Sequence, residues 1–215
     1  MTRSDPSYVI ARELTEVSAE IRAAGGPPVP VVVGDFALRS VDPAGDDAEH
    51  LAEWFARPHL VRTWEQEWSA RRWRADASHR LRGDYSRPVI FSYRGTPVGY
   101  LEIYRPARDE IARIYPADPH DLGLHIATAD PELLGRGLVS GFIRDLADAL
   151  FVAEPRCGRI AVEPAADNVP MRRALCKRGW REVGEFQIRP DRRIALHLLA
   201  RPAIVQGCRV SGGTE

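Results

Sequence analysis

The chain has 215 residues, the size of one domain or of one domain with an appendage. Hydrophobic residues make up 44% and charged residues 28%, which provides a core of ordinary size. Thirty basic residues balance thirty acidic ones, and this excludes a broadly basic nucleic-acid clamp or a surface that adheres to anionic membranes.

Residues 6–24 read as a helix, because Ile10, Leu14, Val17 and Ile21 fall on one stripe. The run GGPPVP at 25–30 ends it. Residues 1–34 are therefore expected to be a helical extension with a Gly/Pro linker, residues 35–202 the main domain, and residues 203–215 a frayed tail. A short strand begins at Phe36. Asp46 and Asp47 can cap a helix carrying Leu51, Trp54 and Phe55, closed by Pro58. Ser69 can cap a second helix with Trp73, Ala77 and Leu81 at four-residue spacing, stopped at Gly83. In PVIFSYRGTPVGYLEIY, two β-rich runs flank Arg94-Gly95-Thr96-Pro97, a hairpin pattern. A Pro-containing connection covers 105–120. DLGLHIAT (121–128) then reads as a strand, GRGLVSGFIRDLADALF (135–151) as a glycine turn entering a helix, and RIAVEP (159–164) as a strand. Asn168 to Arg178 reads as a helix ended by Gly179, and two strands around Arg189-Pro190-Asp191 close the domain.

Strand, glycine turn, helix and strand at 121–164 form a βαβ unit, whose strands must be parallel and its crossover right-handed. Gly135 and Gly137 let the backbone come close to a ligand. The free amides of Leu134, Gly135, Arg136, Gly137, Leu138 and Val139 point the same way as the helix dipole, which suits a pyrophosphate; Arg136 and Ser140 can add side-chain contacts. The residues alone leave this either as such a cradle or as a tight turn before a helix. A dinucleotide-binding GxGxxG is the weaker reading, since its third Gly falls on Ser140 and no long train of βαβ units follows.

DLGLHIATADPELLGRGLVSGFIRDL, followed by RIAVEPAADNVPMRRALCKRGWREVGEF, resembles the GCN5-related N-acetyltransferase (GNAT) superfamily. WFARPHLVRTWEQEW, DLGLH and EPAADN resemble its siderophore-biosynthesis branch, which includes the lysine N-acyltransferases of mycobactin assembly. The resemblance covers about residues 36–200. It implies an α/β (α+β) fold with a mixed, mostly antiparallel central sheet, one splayed parallel βαβ pair, and helices on both faces. It also implies an acyl-CoA co-substrate whose pyrophosphate lies on the glycine turn, near Asn168, with the thioester carbonyl held by backbone amides along 125–128, including Ile126 and Thr128. The chain departs from the family pattern twice. Glu132 stands where Gln or Arg is usual, and Leu175 stands where many relatives carry the Tyr that protonates the departing thiolate.

Proton chemistry must then come from elsewhere. A lysine ammonium has a pKa of about 10.4, so an amine nucleophile needs a base or a site that lowers its pKa. Gly123, His125 and Ala127 share one face of their strand, as Ala161 and Glu163 do on the next, so His125 and Glu163 can meet near the C-terminal strand ends. Read from periodicity alone, they are equally an interior His and a strand-end acid. The resemblance makes them a base and the acid that orients it, with direct attack in a ternary complex. Asp167 is a rival acid or a helix cap. No HxxxH or CxxC spacing supports a metal.

On the acceptor side, Trp64 is a pocket-wall candidate, and Tyr100 and Glu102 share a strand face suited to an amine-bearing substrate. The resemblance points to lysine or N6-hydroxylysine, free or in a siderophore precursor, as acceptor. An acidic acyl carrier protein is an alternative donor. Arg136, Arg172 and Arg173 can face such a carrier or the CoA 3′-phosphate, or be solvated helix positions. Two other readings stay open. One is an aminoglycoside-type N-acetyltransferase, against which the mixture of Arg62, Arg71, Arg72 and Arg74 with acids counts. The other is a non-catalytic acyl-CoA- or carrier-binding module. Three Cys at unpaired spacing and an N-terminus without a signal-peptide apolar stretch lead to the expectation of a cytoplasmic monomer that neither enters a membrane nor binds nucleic acid.

Overall fold

In the computed structural model, residues 8–64 and 66–202 are described, so the expected tail at 203–215 lies outside the described residues. The chain runs α1 (Ala19–Ala23), β1 (Val32–Val33), β2 (Phe36–Ser40), α2 (Asp47–Phe55), α3 (Pro58–Val61), α4 (Ala70–Arg82), β3 (Ser86–Tyr93), β4 (Thr96–Tyr104), β5 (Leu122–Thr128), α5 (Leu138–Ala153), β6 (Arg159–Val162), α6 (Val169–Lys177), β7 (Arg181–Arg189) and β8 (Arg192–Ala200). The eight strands form one sheet in the order β1-β2-β3-β4-β5-β6-β8-β7.

Local chemistry sets several boundaries. The Ser69 hydroxyl accepts from the Arg72 N–H at the start of α4, and Asn168 Oδ1 accepts from the Met171 N–H at the start of α6. The β3–β4 hairpin turns at Arg94 and Gly95, both at positive φ (49° and 85°), the pairing that matches strand twist in a two-residue turn. The Asp46 side chain makes no capping bond; Asp47 instead takes a bidentate Arg39 fork and the Asp42 N–H. Pro58 does not simply close α2. It opens α3, where a missing N–H costs nothing.

The predicted helix over 6–24 is realised only at Ala19–Ala23, capped by Ser18. The segment before it runs across the domain, with Glu13 bridging Asp109 and Ile10 buried against Tyr104 and Ile111. Residues 32–33 already belong to the sheet. Tertiary contacts here override an apolar spacing that fits a helix.

Alternation along the strands separates two cores. Val89, Phe91, Leu101, Ile103, Leu122 and Leu124 face α5 and α6, meeting Phe142, Leu146 and Leu175. Ile90, Tyr100 and Ala127 face α2 and α4, meeting Phe55 and Trp73. Phe142 stacks on Phe36 with centroids 4.3 Å apart, a contact worth about 1 kcal/mol beyond its buried area.

The positioning feature lies between β5 and β6, the parallel pair. They pair only at Leu122↔Ile160 and Gly123↔Ala161. Beyond Gly123, β5 stays paired to β4 as far as Thr128, and β6 turns with β8. The sheet splays open at these C-terminal strand ends.

Candidate active site

A cleft of about 1620 Å³ occupies the splay. Its wall includes Leu124 to Thr128 of β5, Val162 to Asn168 after β6, the turn before α5, and Trp64. The turn is held open by left-handed Gly135 (φ 74°) and Gly137 (φ 75°). Gly141 is the first amide of α5 to find a helical carbonyl, that of Gly137 (2.9 Å), so the amides of the first turn face outward, as an anion requires. Leu134, Gly135, Gly137, Val139, Ser140, Ile126, Thr128 and Asn168 line the cleft, whereas Arg136 and Leu138 do not. Glu132 is exposed and turned from the wall. At the rim stand Arg173, Lys177 and Arg178, the last donating to the Gly137 carbonyl at 3.3 Å. Arg172 is unavailable to a phosphate because it binds Glu182 (2.6 Å) and Glu185 (2.8 Å). Asn168 spends its side-chain oxygen on the α6 cap, and Asp167 is an exposed cleft residue beside it.

At the inner end, His125 and Glu163 come together. The His125 Nε2 meets Glu163 Oε1 in a short hydrogen bond, while Nδ1 lies 2.9 Å from Glu102 Oε2. Register explains the second contact: Glu102 on β4 sits directly opposite His125 on β5. Tyr104, one pleat further, stacks on the imidazole at 4.3 Å and donates to Glu163 Oε2 at 2.7 Å. Its ring lies over Gly123, where any Cβ would overlap it. Tyr100 donates to Glu102 Oε1 (2.9 Å), and Arg80, itself bound to Asp76, lies 3.5 Å from the same oxygen. Tyr100 and Glu102 are thus placed behind His125, fully buried and off the cleft wall, not in the expected acceptor wall. Trp64 does face the cleft, edge-on to His125 with centroids 6.3 Å apart. Its loop is fastened to the end of β5 by His59 to the Thr128 carbonyl (3.0 Å) and by Arg57 to that of Ala129 (2.9 Å).

Two cations missed by sequence reading complete the cluster. Arg192 of β8 lies 3.3 Å from Glu163 Oε1 and pairs with Glu110. Arg12 places Nη1 3.1 Å from His125 Nε2 and Nε 3.9 Å from Glu110. No local pattern marks either residue, since both partnerships depend on long-range packing.

Burial works against charge on His125, but the Glu163 carboxylate and its hydrogen bonds, with that of Glu102, overcome it and raise the imidazole pKa; Arg12 pulls the other way. Burial would raise Glu102 and Glu163, yet Arg80 and His125 hold the first, and His125, Arg192 and Arg12 the second, well below the usual carboxylate range. Burial, with Glu163 nearby, raises Asp109. Burial and Glu163 keep the Tyr104 phenol neutral, so it stays a donor. The site therefore holds one imidazole whose charge is finely opposed, between carboxylates that stay ionised.

Among the described residues, Cys176, Glu182 and His197 place ligand-type atoms within 4.8 Å of one another. The guanidinium of Arg172 already neutralises Glu182 there, and the trio is not part of the cleft wall.

The acetyltransferase (GNAT) domain family model matches residues 44–188. The chain is 44% identical over 203 residues to the lysine N-acyltransferase MbtK of Mycobacterium sp. (strain MCS), covering 94% of this chain and 82% of that one. It is 32% identical over 151 residues to the N(6)-hydroxylysine O-acetyltransferase of Escherichia coli, covering 70% of this chain and 48% of that one. Among solved structures, aminoglycoside acetyltransferase AAC(6')-Ib in complex with coenzyme A and kanamycin is similar at a TM-score of 0.65 and 25% identity, covering 77% of this chain and 95% of that one.

Proposed function

The chain belongs to the GNAT acetyltransferase family and is an acyl-transferring enzyme; from that premise we propose that it moves an acyl group from acyl-CoA to the ε-amine of lysine, or of N6-hydroxylysine, in the assembly of a mycobactin-type hydroxamate siderophore. The observation that carries this reading is the cleft itself. It runs from an anion-binding helix N-terminus to a buried imidazole, in a chain whose likeness to a lysine N-acyltransferase extends over nearly its whole length.

The residues present fit the donor. The outward amides of Leu138 to Ser140 and the open turns at Gly135 and Gly137 suit a pyrophosphate, and Arg173, Lys177 and Arg178 suit further phosphate charge. Acyl-CoA supplies a thioester carbonyl, which makes a neutral amine the only nucleophile needed. His125 takes the amine proton at Nε2. Glu102 fixes the ring through Nδ1, and Glu163 stabilises the charge that forms. Tyr104 holds both in place through its stack and its hydrogen bond. A raised imidazole pKa makes the neutral ring a stronger base toward the ammonium and leaves less of the ring neutral, so the opposing cations matter. Leu175 is buried in the core, so the family's Tyr has no counterpart there, and the proton held on His125 is the one available to the departing group.

The acceptor end carries Arg192 and Arg193 beside Glu163, Glu185 and Asp191. That mixture suits an amino acid head group and disfavours an aminoglycoside polycation. The test is a mass-spectrometric screen of lysine, N6-hydroxylysine and kanamycin against acetyl-CoA and longer acyl-CoA donors. Acylated lysine or hydroxylysine is the expected product. Transfer to kanamycin alone, or donor binding without turnover, overturns the reading.

A further inference from the structure

The segment that was expected to be an appended helix instead reaches the reacting end of the cleft. Arg12 sits at φ 69°, a conformation that L side chains disfavour. The surroundings hold it there from both sides. Its carbonyl accepts from the Glu110 N–H (3.1 Å), the Leu14 N–H donates to the Arg108 carbonyl (2.8 Å), Arg108 pairs with Glu13 (2.5 Å), and Ile10 is buried next to Tyr104. A strained residue fixed by this many independent contacts is placed for its side chain. That side chain is 14% exposed, lines the cleft, and ends 3.1 Å from His125 Nε2.

We propose that Arg12 is a positioning residue for proton transfer: its guanidinium, set against His125 Nε2, offsets the Glu163 carboxylate so that Nε2 is free to take the proton of the acceptor amine. This rests on the acyl-transfer reading above. The groups facing the imidazole come from every neighbouring element. They are Glu102 and Tyr104 of β4, Glu163 after β6, Arg192 of β8, Asp109 and Glu110 of the connection before β5, and Arg12 itself, with Arg80 and Asp76 of α4 standing behind Glu102. On the Nε2 side, the cations opposing Glu163 are Arg12 and Arg192, and Arg192 also serves Glu110. Without Arg12, the negative charge beside Nε2 is less opposed and the imidazolium is held more tightly.

The test compares wild type, Arg12→Gln and Arg12→Lys by two measurements. In the first, kcat/KM for the amine is followed from pH 6 to 9. Arg12→Gln moves the rising limb up by about one pH unit, so the rate falls about tenfold below the limb and meets that of wild type above it. Arg12→Lys keeps the wild-type limb, and KM for acyl-CoA is unchanged in both variants. In the second, NMR titration of the His125 ring shows the same upward shift in Arg12→Gln without any turnover. Equal loss at every pH, or an unmoved His125 titration, overturns the proposal and leaves Arg12 a structural residue. A His125 shift in a protein that acylates no amine overturns the function reading while retaining the electrostatic role.

Discussion

At the scale of single residues, the site is one imidazole between two carboxylates, and its behaviour follows from their charges. Replacing His125 by Ala removes the proposed proton acceptor and is expected to lower kcat/KM by about 10²- to 10⁴-fold, with the pH-dependent limb lost, as read from a rate profile. Glu163→Gln acts in the opposite sense to Arg12→Gln. The folded-state pKa of His125 is raised by Glu163, so neutralising that partner lets it fall and moves the limb to lower pH. The same change strands Arg192 and Arg12 beside a neutral amide, at a cost of about 3 kcal/mol in stability, measurable by denaturant unfolding. Gly123 is a second sensitive point. A methyl group there collides with the Tyr104 ring, so Gly123→Ala is expected to lose about 1–3 kcal/mol and to reduce kcat more than KM, because the ring it displaces is the one stacked on His125.

At the scale of elements, the proposed donor end rests on a turn as well as on the cations at its rim. Gly137 is the left-handed residue from which α5 starts, and the space around it is open apart from Arg178. Gly137→Ala therefore meets no clash but strains the backbone by about 1–2 kcal/mol, and the first-turn amides tilt. KM for acyl-CoA is expected to rise about tenfold with kcat little changed, by steady-state kinetics with the amine saturating. The elements legible in the sequence are those with local causes. Ser69 and Asn168 start helices because their oxygens meet amides three residues on, and the Arg94-Gly95 turn is legible because Gly95 adopts positive φ without cost. The misread element is the first. Ile10, Leu14, Val17 and Ile21 have helical spacing, but Ile10 is claimed by Tyr104 and Ile111, and only the stretch after Ser18 stays helical. Glu102 stands behind the imidazole and not in the acceptor wall for a related reason. Its strand face is legible in the sequence, but the register that sets it opposite His125 belongs to two strands at once.

At the scale of the whole molecule, a net charge of zero conceals a steep internal arrangement. Arg80, Arg105 and Arg192 are buried together with Asp76, Glu102, Glu154 and Glu163, and most of this charge lies on the face of the sheet that carries α2, α4 and the N-terminal segment. The opposite face is the continuous apolar core under α5 and α6. The splay joins the two, with the glycine turn before α5 on one side and the His125–Glu163 pair on the other. The Arg-rich composition matters in a further way. Lys177, the single lysine, stands on the cleft rim, and the other 29 of the 30 Lys and Arg residues are Arg, whose guanidinium does not react with thioesters at neutral pH. Prolonged incubation with excess acyl thioester should thus add at most one stable mass increment to a side-chain amine, located at Lys177 by peptide mapping. A catalyst that handles reactive carbonyl donors beside primary amines thus offers a single side-chain amine of its own to compete with its customer.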